Sequence, residues 1–232
     1  MTLHTILVAL FALFAPLHPA PPAAQPPSHA RSQLQTQPES RTADDDNWTP
    51  LFDGESLDGF VTRGGAASYT IEGDAIVGET RPNTPNTFLC TEREYADFVL
   101  EFEVLVHPEL NSGVQIRSHV KEGDRVFGYQ VEIDPTARGF SGGIYDEARR
   151  GWLAQPTPEQ AAEPPFSAEG WNHYRIEARG NRIRTWINEV PVADLIDDAD
   201  ASGIIGFQVH GVGGRTDPLQ VRWRRVRIRE IE

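Results

Sequence analysis

The feature that most constrains this chain is a short-period alternation of apolar and polar residues, broken every few residues by glycine-centred turns. Phe98 to Val106 alternates over nine residues. Val114 and Ile116 face one way with Gln115 and Arg117 facing the other. Val131 and Ile133 likewise oppose Gln130, Glu132 and Asp134, and Phe207 and Val209 oppose Gln208 and His210. Period-two patterning of this kind belongs to strands. Two hairpins read directly: Tyr69–Val77 over Gly73-Asp74, and Tyr174–Ile187 over Gly180-Asn181. No window of a dozen residues sustains a helical period, and the stretch from Pro156 to Ala168, with four prolines, reads as a long loop. About ten short strands of this type predict an all-β sandwich of two antiparallel sheets.

The first 47 residues have a different character. Ile6 to Ala15 is an unbroken apolar run of ten, too short to span a bilayer and suited to the core of an export signal, although no Lys or Arg precedes it. Residues 1–24 are therefore read as a signal peptide and 25–47, rich in Pro, Ala and Gln, as a disordered linker. The expected destination is secreted or periplasmic, with no membrane span once the signal is removed. Residues 48–232 are left as one folded domain. Its partners are bounded by charge. With 34 acidic against 21 basic residues the net charge is −13, which argues against nucleic acid and anionic membranes. The run Arg222, Arg224, Arg225, Arg227, Arg229 interleaves with Trp223, Val226 and Ile228, so it reads as the outer face of a terminal strand. Cys90 is the one cysteine, which excludes an intrachain disulfide and any Cys-based zinc site.

The polar faces of the three central strands are rich in Gln, Glu, Asp, Arg and His rather than in Lys, Thr and Ser. That composition suits a groove of directional hydrogen-bonding groups better than a solvated face. Trp186, in a hairpin strand, is expected in the core.

Several segments together resemble the 3-keto-disaccharide hydrolase family. They are Leu51-Phe52-Asp53-Gly54 with Leu57-Asp58-Gly59-Phe60, Asn111-Ser112-Gly113-Val114-Gln115-Ile116-Arg117, and Tyr129 to Asp134 with Gly142-Gly143-Ile144-Tyr145. Gly170-Trp171-Asn172-His173-Tyr174-Arg175-Ile176, Gly180-Asn181-Arg182-Ile183 and Trp186-Ile187-Asn188 continue the series. Gly206-Phe207-Gln208-Val209-His210-Gly211 and Trp223 to Ile228 complete it in family order. Glu189 stands where the pattern has Gly, and Gln130 and Glu132 are exchanged relative to it. The resemblance implies a concanavalin A-like jelly roll of two curved sheets with a carbohydrate on the concave face. It also implies a hydrolase or lyase that cleaves glycosides already oxidised at C3.

A ketone at C3 acidifies the C2 hydrogen, so such a site needs a base, a group to hold the enediolate and an acid for the leaving oxygen. The expected catalytic residues are Glu132 or Asp134, with His210 as an alternative base, and Arg117 at the enediolate. Gln115, Gln130 and Gln208, with Tyr145 and Trp152, are expected to bind the sugar. The sequence fixes no cofactor, but a divalent metal could replace or assist Arg117, since Glu132, Asp134 and His210 are acceptable ligands. Asp134 precedes Pro135 and equally suits a turn, and Arg117 equally suits a cross-strand pair with Glu132. Two other functions fit less well. A conventional retaining glycosidase of this fold carries three alternating acids on one strand, and the third is missing after Asp134-Pro135. A non-catalytic carbohydrate-binding module would be dominated by aromatic platforms rather than ionisable groups.

Overall fold

A computed structural model describes residues 47–231. The expected signal, 1–24, and all of the expected linker except Asn47 lie outside the described residues. The chain passes through β1 (Thr49–Pro50), β2 (Phe60–Gly64), β3 (Ser68–Glu72), β4 (Ala75–Glu79) and β5 (Thr87–Thr91). Next come β6 (Phe98–Val106), β7 (Ser112–Lys121), β8 (Arg125–Ile133), β9 (Ile144–Glu147), β10 (Gly151–Ala154) and a single helical turn, α1 (Pro158–Ala162). Then follow β11 (Asn172–Arg179), β12 (Arg182–Ile187), β13 (Val190–Ile196), β14 (Ile204–Val209) and β15 (Gln220–Glu230). No helix among the described residues is long and apolar enough to cross a membrane.

All pairings are antiparallel, in two sheets. One runs β13-β12-β11-β6-β15-β4-β3, with β1 also on β15; the other runs β10-β9-β8-β7-β14-β5-β2. The all-β sandwich expected from the alternation is the fold observed. Its core lies between the sheets, and the inward residues are the ones the period selects. Leu100, Phe102 and Val104 of β6 meet Tyr129, Val131 and Ile133 of β8, Val114 and Ile116 of β7 and Phe207 of β14, all essentially buried. Phe102 stacks on Tyr174 with centroids 5.1 Å apart and meets Phe207 edge-on at 6.2 Å; Phe207 meets Trp223 at 5.5 Å. Each such ring withdrawn from water contributes about 1.5–3 kcal/mol.

Two bulges interrupt the alternation. In β15 the register slips between Arg224 and Arg227, with Arg225 at φ 52°, so Trp223 and Val226 both reach the core although three positions apart. The arginines then stay outside, as expected. Arg224 and Arg225 bond Glu103, and Arg227 bonds Glu101. In β7 the register slips between Ile116 and His119, with Arg117 at φ 44°. That bulge decides where Arg117 goes.

Three local readings change. Among the described residues there are fifteen strands rather than about ten, because β1, β2, β5 and β10 span five residues or fewer and β13, although longer, shows no regular alternation of apolar and polar residues. The proline-rich loop contains α1, started by a reciprocal capping box between Thr157 and Gln160. Trp186 is not in the core: Ile183, Thr185 and Ile187 take the inward positions. Its ring lies outside, with the Arg175 and Arg184 guanidinium carbons 5.8 and 5.3 Å from its centroid.

The departure at Glu189 has a visible cost. The β12–β13 hairpin turns on Asn188 and Glu189, with φ of 48° and 68°, a mirror-image turn in which glycine is the natural second residue. Glu189 recovers only an exposed contact to His173 Nδ1 at 3.0 Å. Glu189→Gly is expected to stabilise the domain by about 1 kcal/mol, read as a Tm about 2–4 °C higher. An unchanged or lower Tm would show that the strain is relieved elsewhere.

Candidate active site

The face of the seven-stranded sheet turned away from the core carries a groove of about 460 Å3. Its floor comes from alternate residues of three neighbouring strands: Gln130 and Glu132 from β8, Gln208 from β14 with His210 just beyond it, and Gly113 from β7. The glycine is required. A Cβ on Gly113, which pairs with Glu132, would lie 2.6 Å from the Gln130 side chain, so only glycine lets that amide lie flat across the strand.

The floor is a directed hydrogen-bond network with Gln130 at its centre. Gln130 Oε1 accepts from Gln115 Nε2 and from Gln208 Nε2, both at 2.9 Å, and Gln130 Nε2 donates to Glu132 Oε2 at 3.2 Å. Glu132 Oε1 also accepts from Asn111 Nδ2 at 2.6 Å and from Arg138 Nη2 at 3.3 Å. Glu132 is buried, and that burial pushes its carboxyl above the usual carboxylate range, while the bonds from Asn111 and Gln130 and the charge of Arg138 oppose the rise. One buried atom is left over. Gln208 Oε1, on a fully buried side chain lining the groove, has no hydrogen-bond partner among the described residues. Such an orphan acceptor is costly unless something donates to it.

The walls supply the rest. Tyr145 and Trp152 pair across the β9–β10 ladder with ring centroids 5.3 Å apart, and Phe140 meets Trp152 edge-on at 5.0 Å. Arg138 lies 4.7 Å over the Phe140 ring and reaches both Glu132 and Asp134. At the other end, His210 faces Glu147 of β9, whose carboxyl is raised chiefly by burial and held back by the charges of His210 and Arg125. His210 Nδ1 lies 2.8 Å from the Gly211 carbonyl oxygen.

The structure thus brings Glu132, Asp134, Gln130, Gln208, His210, Tyr145 and Trp152 to one groove, and it removes two expected members. Arg117 lies on the core side of its sheet. Its Nε and Nη1 donate to the carbonyls of Ala96 and Gly180 at 2.6 and 2.7 Å, and its Nη2 pairs with Asp97 at 2.7 Å. The register sets Gly113, not Arg117, opposite Glu132, so the expected cross-strand pair is absent; beyond Ile116 the bulge turns the guanidinium inward, where it ties the β5–β6 loop to the β11–β12 turn. Gln115 does keep its predicted face, but it is wholly buried, bonded to Gln130 and to Ser118 Oγ at 2.7 Å, and does not line the groove.

Asp134 reaches the groove with both oxygens engaged. Oδ1 accepts from the Thr136 amide and hydroxyl at 3.1 and 2.7 Å, and Oδ2 from Arg138 Nε at 2.7 Å, the turn-forming arrangement its place before Pro135 suggested. The suggested metal ligands do not converge. Among the described residues no three His, Cys, Asp or Glu side chains are placed to hold an ion, and between Glu132 and Asp134 stands the Arg138 guanidinium. As arranged, Glu132, Asp134 and His210 do not fit a divalent metal.

Sequence reasoning missed Arg138, Asn111 and Glu147. Asn111 begins the Asn-Ser-Gly segment and Glu147 shares its strand face with Tyr145, so motif and period could have found both. Arg138 sits in an irregular loop and carries no such signal.

The comparisons with known proteins agree with this geometry. The model of the 3-keto-alpha-glucoside-1,2-lyase-like domain matches residues 47–229. The chain belongs to that family. Membership places it among carbohydrate-active, hydrolase-like or carbohydrate-binding domains. No curated protein matches. Among solved structures, a candidate glycosyl hydrolase from Parabacteroides distasonis is 16% identical, with TM-score 0.58 over 82% of this chain and 96% of that one. A carbohydrate-binding module from Bacillus subtilis is 18% identical, with TM-score 0.55 over 74% and 96%. A protein with a galectin-like fold from Bacillus subtilis is 10% identical, with TM-score 0.59 over 79% and 94%. At such identities these likenesses establish the fold.

The placement of Arg117 makes a direct prediction. Arg117→Ala leaves two carbonyls without their donor and Asp97 with the Gly180 amide but no cationic partner, so it is expected to cost about 3 kcal/mol of stability, measured by urea denaturation. A loss under about 0.5 kcal/mol, in the range of ordinary surface substitutions, would mean the tie is dispensable.

Proposed function

We propose that this domain cleaves 3-keto-glycosides by elimination, acting outside the cytoplasm after export. The observation that carries the reading is Glu132: a buried carboxylate opening on a groove, its proton affinity raised, held by amides rather than neutralised by a tight ion pair. In this reading Glu132 removes the C2 proton. The C2–H electron pair delocalises onto the C3 oxygen as an enediolate, which Arg138 and the groove amides stabilise in a partly dehydrated setting. The charge then returns to form the C1–C2 double bond as the C1–oxygen bond breaks, and His210 gives the leaving oxygen its proton. One proton is taken and one returned, so the products are an enone and an alcohol. Addition of water across the new double bond would complete a net hydrolysis.

Arg138 takes the part first expected of Arg117. In this reading Gln208 belongs to the sugar subsite, its unpartnered Oε1 being the support, and Tyr145 and Trp152 stack on the C–H side of a pyranose.

The purified protein should release the aglycone from 3-keto-trehalose or a nitrophenyl 3-keto-glucoside and leave the unoxidised parents intact. Turnover of the parents alone would overturn the reading in favour of a conventional glycosidase; binding without turnover of either would make the domain a binding module. Glu132→Gln and His210→Ala should each lower kcat by about a hundredfold or more. Near-normal rates in both would remove these residues from the mechanism.

The acid limb of the pH profile supplies an independent check. A base with a raised proton affinity loses activity, as pH falls, above the ordinary carboxylate range. Asn111→Leu deletes a bond that favours the charged form, so the limb should move to higher pH. A limb that stays in place or moves down would show that Glu132 is not the titrating base.

A further inference from the structure

The two ring nitrogens of His210 are not equivalent. Nδ1 lies 2.8 Å from the carbonyl oxygen of the next residue, Gly211. A carbonyl oxygen only accepts, so Nδ1 carries a proton, and Nε2 is left as the nitrogen without a hydrogen bond among the described residues. Nε2 is therefore the one able to exchange a proton with a ligand in the groove.

The Gly211 peptide is itself held. Its N–H donates to Asn86 Oδ1 at 3.0 Å, and a Cβ on Gly211 would lie 2.8 Å from the Thr84 carbonyl oxygen. Only glycine lets the end of β14 close on the loop between β4 and β5 in this way. The same loop is tied at both ends: the Asn83 amide donates to the Gly213 carbonyl at 2.6 Å, and the Asn86 carbonyl accepts from the Gly65 amide at 3.0 Å. With Oδ1 spent on Gly211, the Asn86 side chain has Nδ2 to donate to Glu147. Burial raises the proton affinity of Glu147, and the charges of His210, Arg125 and Lys121 oppose the rise. An ionised carboxylate has no donor of its own, so it admits one orientation of the Asn86 amide. Glu147 also lines a second cavity, of about 450 Å3, with Pro85, Asn86 and Arg125, and is half-buried rather than part of the core.

We propose that Glu147 and Asn86 are positioning residues for His210: acting through the Gly211 peptide, they keep a proton on Nδ1 and present Nε2 to the leaving oxygen. The inference rests on the reading above, in which His210 gives that oxygen its proton. The imidazolium Nε2–H bond breaks as the new O–H bond forms, its electron pair stays on Nε2, and Nδ1 keeps its proton on the Gly211 carbonyl. Glu147 and Asn86 exchange no proton; their contribution is orientation.

Long-range proton–nitrogen NMR of isotope-labelled protein reads the tautomer directly, at a pH where the histidines are neutral. The chain has seven histidines, and the spectrum of His210→Ala identifies the signal. Wild-type His210 should carry its proton on Nδ1, the less common form of a free histidine side chain. Glu147→Gln is nearly isosteric, but its amide can turn either end to Asn86; Asn86→Asp sets two carboxylates against each other. Each should move the proton substantially to Nε2. Each should also lower kcat on 3-keto-trehalose by about tenfold or more, with KM within about twofold. The loss should be several-fold smaller on a nitrophenyl 3-keto-glucoside, whose leaving oxygen departs readily without a proton. A wild-type Nε2–H form, an unchanged tautomer in both variants, or an equal loss on both substrates would overturn the positioning assignment and leave the 3-keto reading intact. A wild-type protein that turns over neither compound would instead remove the 3-keto reading, and this role for His210 with it, whatever the tautomer.

Discussion

Glu132 holds a carboxylate out of water at the bottom of a sheet face, and much of the surrounding sequence is arranged to make that tolerable. An isolated buried carboxylate costs several kcal/mol or simply keeps its proton. Here Asn111, Gln130 and Arg138 each donate to it, Gln115 and Gln208 fix the orientation of Gln130, and Gly113 clears the space in which Gln130 lies. Because an amide offers its donors and its acceptor on opposite sides, one orientation of Gln130 satisfies three neighbours together. The cost that remains sits on Gln208 Oε1, which is buried without a partner, and on the raised proton affinity of Glu132.

The two sheets divide the work. The outer face of the eight-stranded sheet is covered by ion pairs such as Arg175–Glu101, Arg184–Glu177 and Arg224–Glu103. On the seven-stranded sheet the outward positions are instead amides, glycines and two carboxylates with raised proton affinity. Between them the core of Phe102, Tyr174, Phe207 and Trp223 fixes the inward residues, and strand alternation then leaves the outward ones no freedom of direction. A groove built on strands in this way is preorganised.

Much of this was legible in the sequence. The period of two assigned the faces of β7, β8 and β14 correctly for Val114, Gln115, Gln130, Val131, Glu132, Phe207 and Gln208, and glycine dipeptides marked both predicted hairpins. Trp186 shows the limit of residue type as a guide: a tryptophan reads as core, yet its strand phase puts it outside between two arginines. The second failure was Arg117. Its alternation phase was read properly, but a bulge adds a residue, reverses the phase, and leaves no mark in composition.

What the sequence by itself determined is the alternation, the turns and the family motifs, and hence a two-sheet sandwich with a polar strand face suited to a carbohydrate. These are local properties, set by steric preferences and by which side chains leave water. Only the tertiary structure decided that Arg138, rather than Arg117, brings positive charge to Glu132, that Asp134 is consumed by its own turn, and that Glu147 lines two cavities. Those outcomes depend on loops and on a bulge, whose conformations are fixed by contacts distant in sequence, and no local preference encodes them.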